Sequence, residues 1–357
     1  MNMNSTIRIG LIGGGWRASY YLRIASMLPH LFHITGVVLR SPDKYSDFLA
    51  KWKVPVYRSA EELAEVSDFL VLAVSKTSAP ASITELAAAD IPVLAETPPA
   101  TNLSEYEQLS AIAASNPRIQ VAEQYPLLPH NQARTAYINT GKLGDVMHVQ
   151  VSAGHGYHGI SLIRKWLSIG TTFECDIIGR RFSLPIADTP HRGQASSNEV
   201  GIEQQEIAIF SFADGKSAVL DFARSQYFST IRSNRILIRG SHGEIQDNTI
   251  TRKIGPDHFE TVTIQRSQHG QEDSLYNLSL AHLQAGVDVL YRNPFSSYPL
   301  SDEEIGIAEA LLRMRTFLEE GTSFYSLSDA LTDVRLGLSM EEAIANKGAV
   351  TVHIDLL

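Results

Sequence analysis

Cysteine is almost absent. Cys175 is the only one in 357 residues, which excludes an intrachain disulfide and any thiolate cluster for zinc or iron–sulfur. Its setting, Phe173-Glu174-Cys175-Asp176-Ile177-Ile178, reads as a strand in which the thiol packs rather than reacts. No run of about 18 apolar residues occurs, and the leader Met1 to Thr6 is polar and too short for a secretory signal. The expected location is therefore a reducing cytoplasm. A basic excess is lacking too: 30 Lys and Arg against 39 Asp and Glu leave a net charge of −9, which argues against nucleic acid as a partner. The 12 histidines show no metal-ligand spacing, so no metal is expected.

What is present describes an ordinary folded protein, 44% hydrophobic and 19% charged. The length exceeds that at which one hydrophobic core keeps growing, so two domains are expected. The first part alternates short apolar runs with longer amphipathic stretches, the pattern of a parallel sheet with crossover helices. Ile7 to Ile12, Ile34 to Leu39, Phe69 to Val74, Pro92 to Ala95 and Ile119 to Ala122 read as strands. Ala18 to Met27, Pro42 to Lys51, Ser78 to Ala89 and Ser104 to Ala114 read as helices.

The domain boundary falls near Tyr125, giving a dinucleotide-binding domain over 1–125 and a substrate and oligomerisation domain over 126–357. A helix over Pro129 to Asn139 stops before Gly141. Runs at Val146 to Ala153, Phe173 to Leu184, Gln205 to Phe212, Ser217 to Phe222 and Ile231 to Arg239, joined by short turns, predict a mainly antiparallel open sheet. Ser274 to Leu290 and Asp302 to Leu318 read as long helices, and Thr189 to Glu203 as a mobile loop. The fold class is thus an α/β N-terminal domain followed by an α+β domain.

Directly after the first strand comes Gly13-Gly14-Gly15-Trp16-Arg17-Ala18, a G-x-G-x-x-A match that opens a helix. Gly13 permits the tight turn, Gly15 lets backbone approach a diphosphate, and Ala18 allows close helix–strand packing. With a strand before and a helix after, this is the turn of a Rossmann domain, and Gly13, Gly15, Trp16 and Arg17 are candidate cofactor contacts. At the end of the second strand an NAD-selective site usually offers a carboxylate to the ribose. Here Leu39-Arg40-Ser41 offers a guanidinium and a hydroxyl, which favours NADP(H) over NAD(H).

The sequence resembles the glucose–fructose oxidoreductase, inositol dehydrogenase and MocA-like family. The likeness rests on this turn, on Leu94-Ala95-Glu96-Thr97-Pro98-Pro99-Ala100, on Val121-Ala122-Glu123-Gln124-Tyr125, on Thr140-Gly141-Lys142-Leu143-Gly144-Asp145-Val146, and on the segment bearing His158. It implies hydride transfer between a nicotinamide cofactor and a sugar, polyol or related hydroxy or keto compound, by a homodimer or homotetramer. It also implies that Glu96 organises the turn beneath the nicotinamide. Family members carry Glu-Lys-Pro where this chain has Glu96-Thr97-Pro98, and an Asp four residues before the catalytic His, where this chain has Gly154. His158 remains as the base, and Thr97 faces the cofactor from the lysine's position. The alternative is a dinucleotide-binding protein without dehydrogenase chemistry.

His155, Tyr157 and Arg164 are further pocket candidates, with solvent exposure the default for Arg164. Glu123, Gln124 and Tyr125 either line the pocket or form a hinge. Arg224, Gln226 and Tyr227 end a strand and can donate hydrogen bonds to a polyol or carboxylate.

Overall fold

The computed structural model describes residues 6–114, 118–187, 197–271 and 274–356. The N-terminal apolar runs become a parallel sheet with helices on both faces. In chain order its elements are β1 (Ile7–Ile12), α1 (Trp16–Met27), β2 (Phe32–Val38), α2 (Ser46–Trp52), β3 (Val56–Tyr57), α3 (Ala60–Ala64), β4 (Phe69–Leu72), α4 (Ala79–Ala88), β5 (Val93–Ala95), α5 (Leu103–Ala113) and β6 (Ile119–Val121). The strand order is β3-β2-β1-β4-β5-β6 and every pairing is parallel. All residues of β4 and β5 are buried, as expected where helices cover both faces. The order reverses between β1 and β4, which opens a crevice at the carboxyl ends of those strands. The sequence reading omits β3 and α3, because a two-residue strand has no measurable periodicity. It also merges a 3-10 turn at Pro42–Tyr45 with α2.

The remaining elements are α6 (Pro129–Asn139), β7 (Val146–Ser152), α7 (Gly156–Leu167), β8 (Thr172–Ala187), β9 (Val200–Phe212), β10 (Ser217–Ala223), β11 (Arg235–Gly240), β12 (Gly243–Gln246), β13 (Thr249–Gly255), β14 (His258–Gln271), β15 (Ser274–Ala285), β16 (Asp288–Arg292), α8 (Asp302–Glu320), α9 (Leu327–Asn346) and β17 (Ala349–Asp355). They form an eleven-stranded sheet in the order β16-β15-β14-β13-β12-β11-β7-β10-β9-β8-β17. Only β7 and β10 pair in parallel; the other pairings in this sheet are antiparallel.

Two expectations need correction. Ser274 to Leu290 is strand, not helix: β15 pairs antiparallel with β14, and the register shifts where Ser267 faces His282 and Gln268 faces Leu280. The shift lets Leu280 and Leu283, three residues apart, both point into the core, so a bulged strand carries helical spacing. In the expected loop Thr189 to Glu203, Val200 to Glu203 belong to β9 and pair with Leu184 to Ala187. Residues 188–196 lie outside the described residues.

The C-terminal α9, to which the sequence reading assigns nothing, packs on β8, β17 and α7 and also on α5 and β6. Ser326 and Asp329 close a capping box at its start. Just before it, Gln120 Oε1 on β6 accepts hydrogen bonds from Ser323 Oγ, Phe324 N and Tyr325 N at 2.9, 3.1 and 3.2 Å. The two sheets are thereby tied together, and the crevice of the first faces the second.

Candidate functional site

The glycines between β1 and α1 differ in what they do. Gly13 has φ of 108°, and a Cβ there would stand 2.3 Å from the Ala73 carbonyl oxygen, so both backbone and space demand glycine. Gly15 is the N-cap of α1 in an extended conformation, and a Cβ there meets nothing within 4 Å. The first turn of α1 carries no acidic residue. Open space above a helix N-terminus without a competing carboxylate fits the diphosphate of a dinucleotide.

Beside this turn lies a cleft of about 1590 Å³ walled by both sheets. It brings together Trp16, Arg17, Glu96, Thr97 and His158, together with Gln124, Tyr125, His155, Tyr157, Arg224 and Tyr227. Gly13, Gly15, Arg40 and Ser41 are not among its lining. Arg40 is exposed past the end of β2 and has no hydrogen bond or ion pair among the described residues. Ser41 begins the Pro42–Tyr45 turn, its carbonyl accepting from Lys44 N.

Glu96, directly after β5, is engaged inside the protein. The Tyr21 hydroxyl donates to it, and Arg17 Nε lies 3.4 Å away while Arg17 Nη1 reaches Glu303 at 3.0 Å. Burial opposes the Arg17 charge, but Glu96 and Glu303 outweigh it and raise its pKa above the ordinary arginine value. The Arg17 guanidinium also lies 4.9 Å from the Trp16 ring centre, fixing the Trp16 and Arg17 side chains as one wall of the cleft.

The opposite wall is the first turn of α7. His158 Nδ1 lies 2.7 Å from Glu123 Oε2, with the Glu123 side chain fully buried and the His158 side chain 11% exposed. Ser161 Oγ and the Tyr125 backbone N–H donate to the other carboxylate oxygen at 3.0 and 3.1 Å. With Glu123 ionised, Nδ1 carries the proton and Nε2 keeps a lone pair, the state a general base requires. The imidazole is clamped between Tyr125, stacked at 4.3 Å, and His155, stacked at 4.8 Å.

Gly154 now has a physical explanation. A Cβ there would stand 3.0 Å from Tyr125 Cε1 and 3.1 Å from His158 Cβ, so an aspartate would press on the Tyr125–His158 stack. The carboxylate comes instead from Glu123, beyond β6. Glu123 stands at the carboxyl edge of the sheet, and nothing in the local sequence announces this contact, since its partner lies 35 residues away.

His155 caps α7, and its backbone N–H donates to the Tyr227 hydroxyl at 3.0 Å. Burial, then the neighbouring His158, Lys76 and Arg224, push its pKa down to about 3. Burial chiefly, together with Tyr227 and Glu123, holds the Tyr125 phenol protonated. Lys76, in the loop after β4, also lines the cleft and was not a sequence candidate.

Arg164 departs from expectation. It is buried and bonded to Asp333 at 2.9 Å, to Asp329 at 3.3 Å and to the Gly170 carbonyl at 3.0 Å, away from the cleft lining. Six residues from His158 correspond to about 240° around a helix, which turns Arg164 from that face. Gln226 is likewise structural, its amide binding Ala223 N, Ser152 and the Ser233 carbonyl. Among the described residues no group of three or more His, Cys, Asp or Glu is placed to hold a metal ion, and no helix is long and apolar enough to cross a membrane.

Residues 7–124 match the model of an oxidoreductase family with an NAD-binding Rossmann fold. A search of curated proteins finds no significant match. Solved structures align over nearly the whole chain. An oxidoreductase from Agrobacterium radiobacter in complex with NAD+, L-tartaric acid and magnesium shares 16% identity, with 97% of this chain and 98% of that one covered and a TM-score of 0.67. Levoglucosan dehydrogenase with NADH and levoglucosan gives 16%, 98% and 100%, and 0.69. A myo-inositol dehydrogenase from Corynebacterium glutamicum gives 14%, 98% and 100%, and 0.64. At such identities the likeness speaks for the shared two-domain fold. Together with the glycine turn and the strand order, the match over 7–124 identifies the N-terminal domain as an NAD-binding Rossmann domain similar to that of the glucose–fructose oxidoreductase, inositol dehydrogenase and MocA family.

Proposed function

We propose that the protein is an NAD(P)-dependent oxidoreductase acting on a CH–OH group of a sugar, polyol or related hydroxy or keto compound, with His158 as its base. The observation that carries this reading is the buried Glu123–His158 pair at 2.7 Å in the wall of the cleft. A dinucleotide bound at the Gly13 to Gly15 turn supplies a hydride acceptor or donor. His158 Nε2 takes the hydroxyl proton, and Glu123 holds the ring's orientation and stabilises the imidazolium that forms. Tyr125 and His155 keep the imidazole from rotating. Thr97 faces the cofactor, and Trp16 and Arg17, held by Glu96, form the wall on its side. The similar structures named above include a levoglucosan and a myo-inositol dehydrogenase, which supports a polyhydroxylated substrate.

For the cofactor we propose NADP(H), because Arg40 is exposed past β2 and has no ion pair among the described residues. The protein is proposed to act in the cytoplasm as a homodimer or homotetramer. One observation favours the second reading, binding without dehydrogenase chemistry: Thr97 brings no positive charge to a developing alkoxide. The deciding experiment measures nicotinamide reduction with a polyol and keto-sugar panel, on the wild type and on His158→Ala, with calorimetry for NADP(H) and NAD(H). The expected result is turnover that falls about 10²–10⁴-fold in the variant while cofactor affinity holds. Turnover that survives the substitution removes His158 as the base. Tight cofactor binding with no turnover across the panel favours the second reading, and tighter NAD(H) than NADP(H) removes the Arg40 assignment.

A further inference from the structure

The cleft contains charges whose pairing is uneven. Each carboxylate in its lining has a cation: Glu96 and Glu303 share Arg17, Glu206 and Glu341 share Arg181, Asp302 meets Arg266, and Glu203 lies 3.7 Å from Arg232. Two lining cations, Lys76 and Arg224, have no ion pair among the described residues. They come from opposite walls, Lys76 from the loop after β4 and Arg224 from the turn after β10.

Both face the cleft that His155 also lines, and the His155 backbone N–H donates to Tyr227, three residues after Arg224. At the His155 ring, burial acts first, and then His158, Lys76 and Arg224 all oppose protonation. No carboxylate is among the leading influences there, and His155 stacks directly on His158. In a protein of net charge −9, two cleft cations without an ion pair among the described residues are a local arrangement. The diphosphate of a dinucleotide belongs at the Gly15 turn and the N-terminus of α1, whereas Arg224 stands on the second sheet.

We propose that the substrate carries an anionic group, a carboxylate or a phosphate ester, held between Lys76 and Arg224 while its reacting hydroxyl meets His158. This rests on the reading of His158 as the substrate base. Lys76 supplies a point charge, and Arg224 a planar fork that matches two oxygens at once. An added anion also gives these two cations the partner that the folded chain denies them.

The test is equilibrium binding to the NADH-bound protein, so it is decided whether or not turnover occurs. D-glucose, D-glucuronate and D-glucose 6-phosphate are titrated by calorimetry into the wild type, Lys76→Ala, Arg224→Ala and Arg224→Lys. At least one charged ligand is expected to bind tenfold or more tightly than glucose, and which one does so separates carboxylate from phosphate. Each alanine variant is expected to weaken that ligand about tenfold and glucose by less, while Arg224→Lys retains most of the preference. Both side chains are exposed, and far-UV circular dichroism confirms that each variant folds. Glucose binding as tightly as the charged ligands, or no charged ligand binding, overturns the proposal. Variants that weaken all three ligands alike also overturn it, as does Lys76→Ala weakening NADH as much as the charged ligand, since Lys76 then belongs to the cofactor. A charged ligand that binds as expected without any turnover leaves the anion site standing and counts against the dehydrogenase reading alone.

Discussion

His155 and His158 stack 4.8 Å apart yet have different surroundings. Only His158 has a carboxylate, and His155 Nδ1 is buried with no hydrogen-bond partner among the described residues. His155 is therefore held neutral. The consequence reaches stability. The folded-state pKa of His155 is pushed down to about 3, whereas an unfolded chain's histidine titrates near 6.5. Below pH 6.5 the unfolded state binds the extra proton, so stability is lost as pH falls from about 6.5 towards 3. Between pH 7 and pH 5 this amounts to about 2 kcal/mol. In His155→Gln that share of the acid loss is expected to vanish, read as a smaller difference between urea unfolding free energies at the two pH values. An unchanged difference would mean that His155 is protonated in the folded protein. Of this cluster, His158 was legible from its resemblance to a family motif, because that motif is local. Glu123 was not, since its contact with His158 exists only once β6 and α7 are packed. Arg164 was misjudged because a charged side chain is exposed by default, and nothing local announces Asp333 as its partner.

At the scale of elements, one residue of the glycine turn is demanded by the fold while another stands beside open space. Gly13→Ala forces a side chain into a left-handed backbone and against the Ala73 carbonyl, and is expected to lower stability by about 1–3 kcal/mol or more. Gly15→Val is expected to leave the melting temperature nearly unchanged, because the backbone is extended and the space is open, while cofactor affinity collapses. Fluorescence titration with NADH beside thermal melts checks both. Full affinity in a folded Gly15→Val protein would remove this turn as the binding site. These elements were readable because their signals are local. Strand, glycine turn and helix follow one another without interruption, and α6 runs from Pro129 to Asn139 as read, with Pro at its start and Gly141 just past its end. β15 was misread because its bulge imposes a three-residue spacing on a strand, and periodicity cannot separate the two without a partner strand in view.

For the whole molecule, the eleven-stranded sheet has two faces with different neighbours. On β8, Cys175 and Ile177 point inward and are buried against the side that α9 covers. The alternate residues Ile178, Phe182 and Leu184 point outward, and Ile209 on β9 stands directly opposite Ile178. Ile178, Phe182 and Ile209 are each nearly half exposed. A strand pair buried on one face should present polar side chains on the other, and contiguous apolar exposure marks an association surface. Self-association across this face is therefore expected, with light scattering giving the mass of a dimer or tetramer. Ile178→Asp combined with Ile209→Asp places two carboxylates opposite one another on neighbouring strands, where they repel each other and any apolar partner. The double variant is expected to elute as a folded monomer, with unchanged far-UV circular dichroism and with NADH binding intact, since neither residue lines the cleft. A monomeric wild type, or a variant whose mass does not change, would mean that this face meets solvent and that its isoleucines and phenylalanine do not direct assembly.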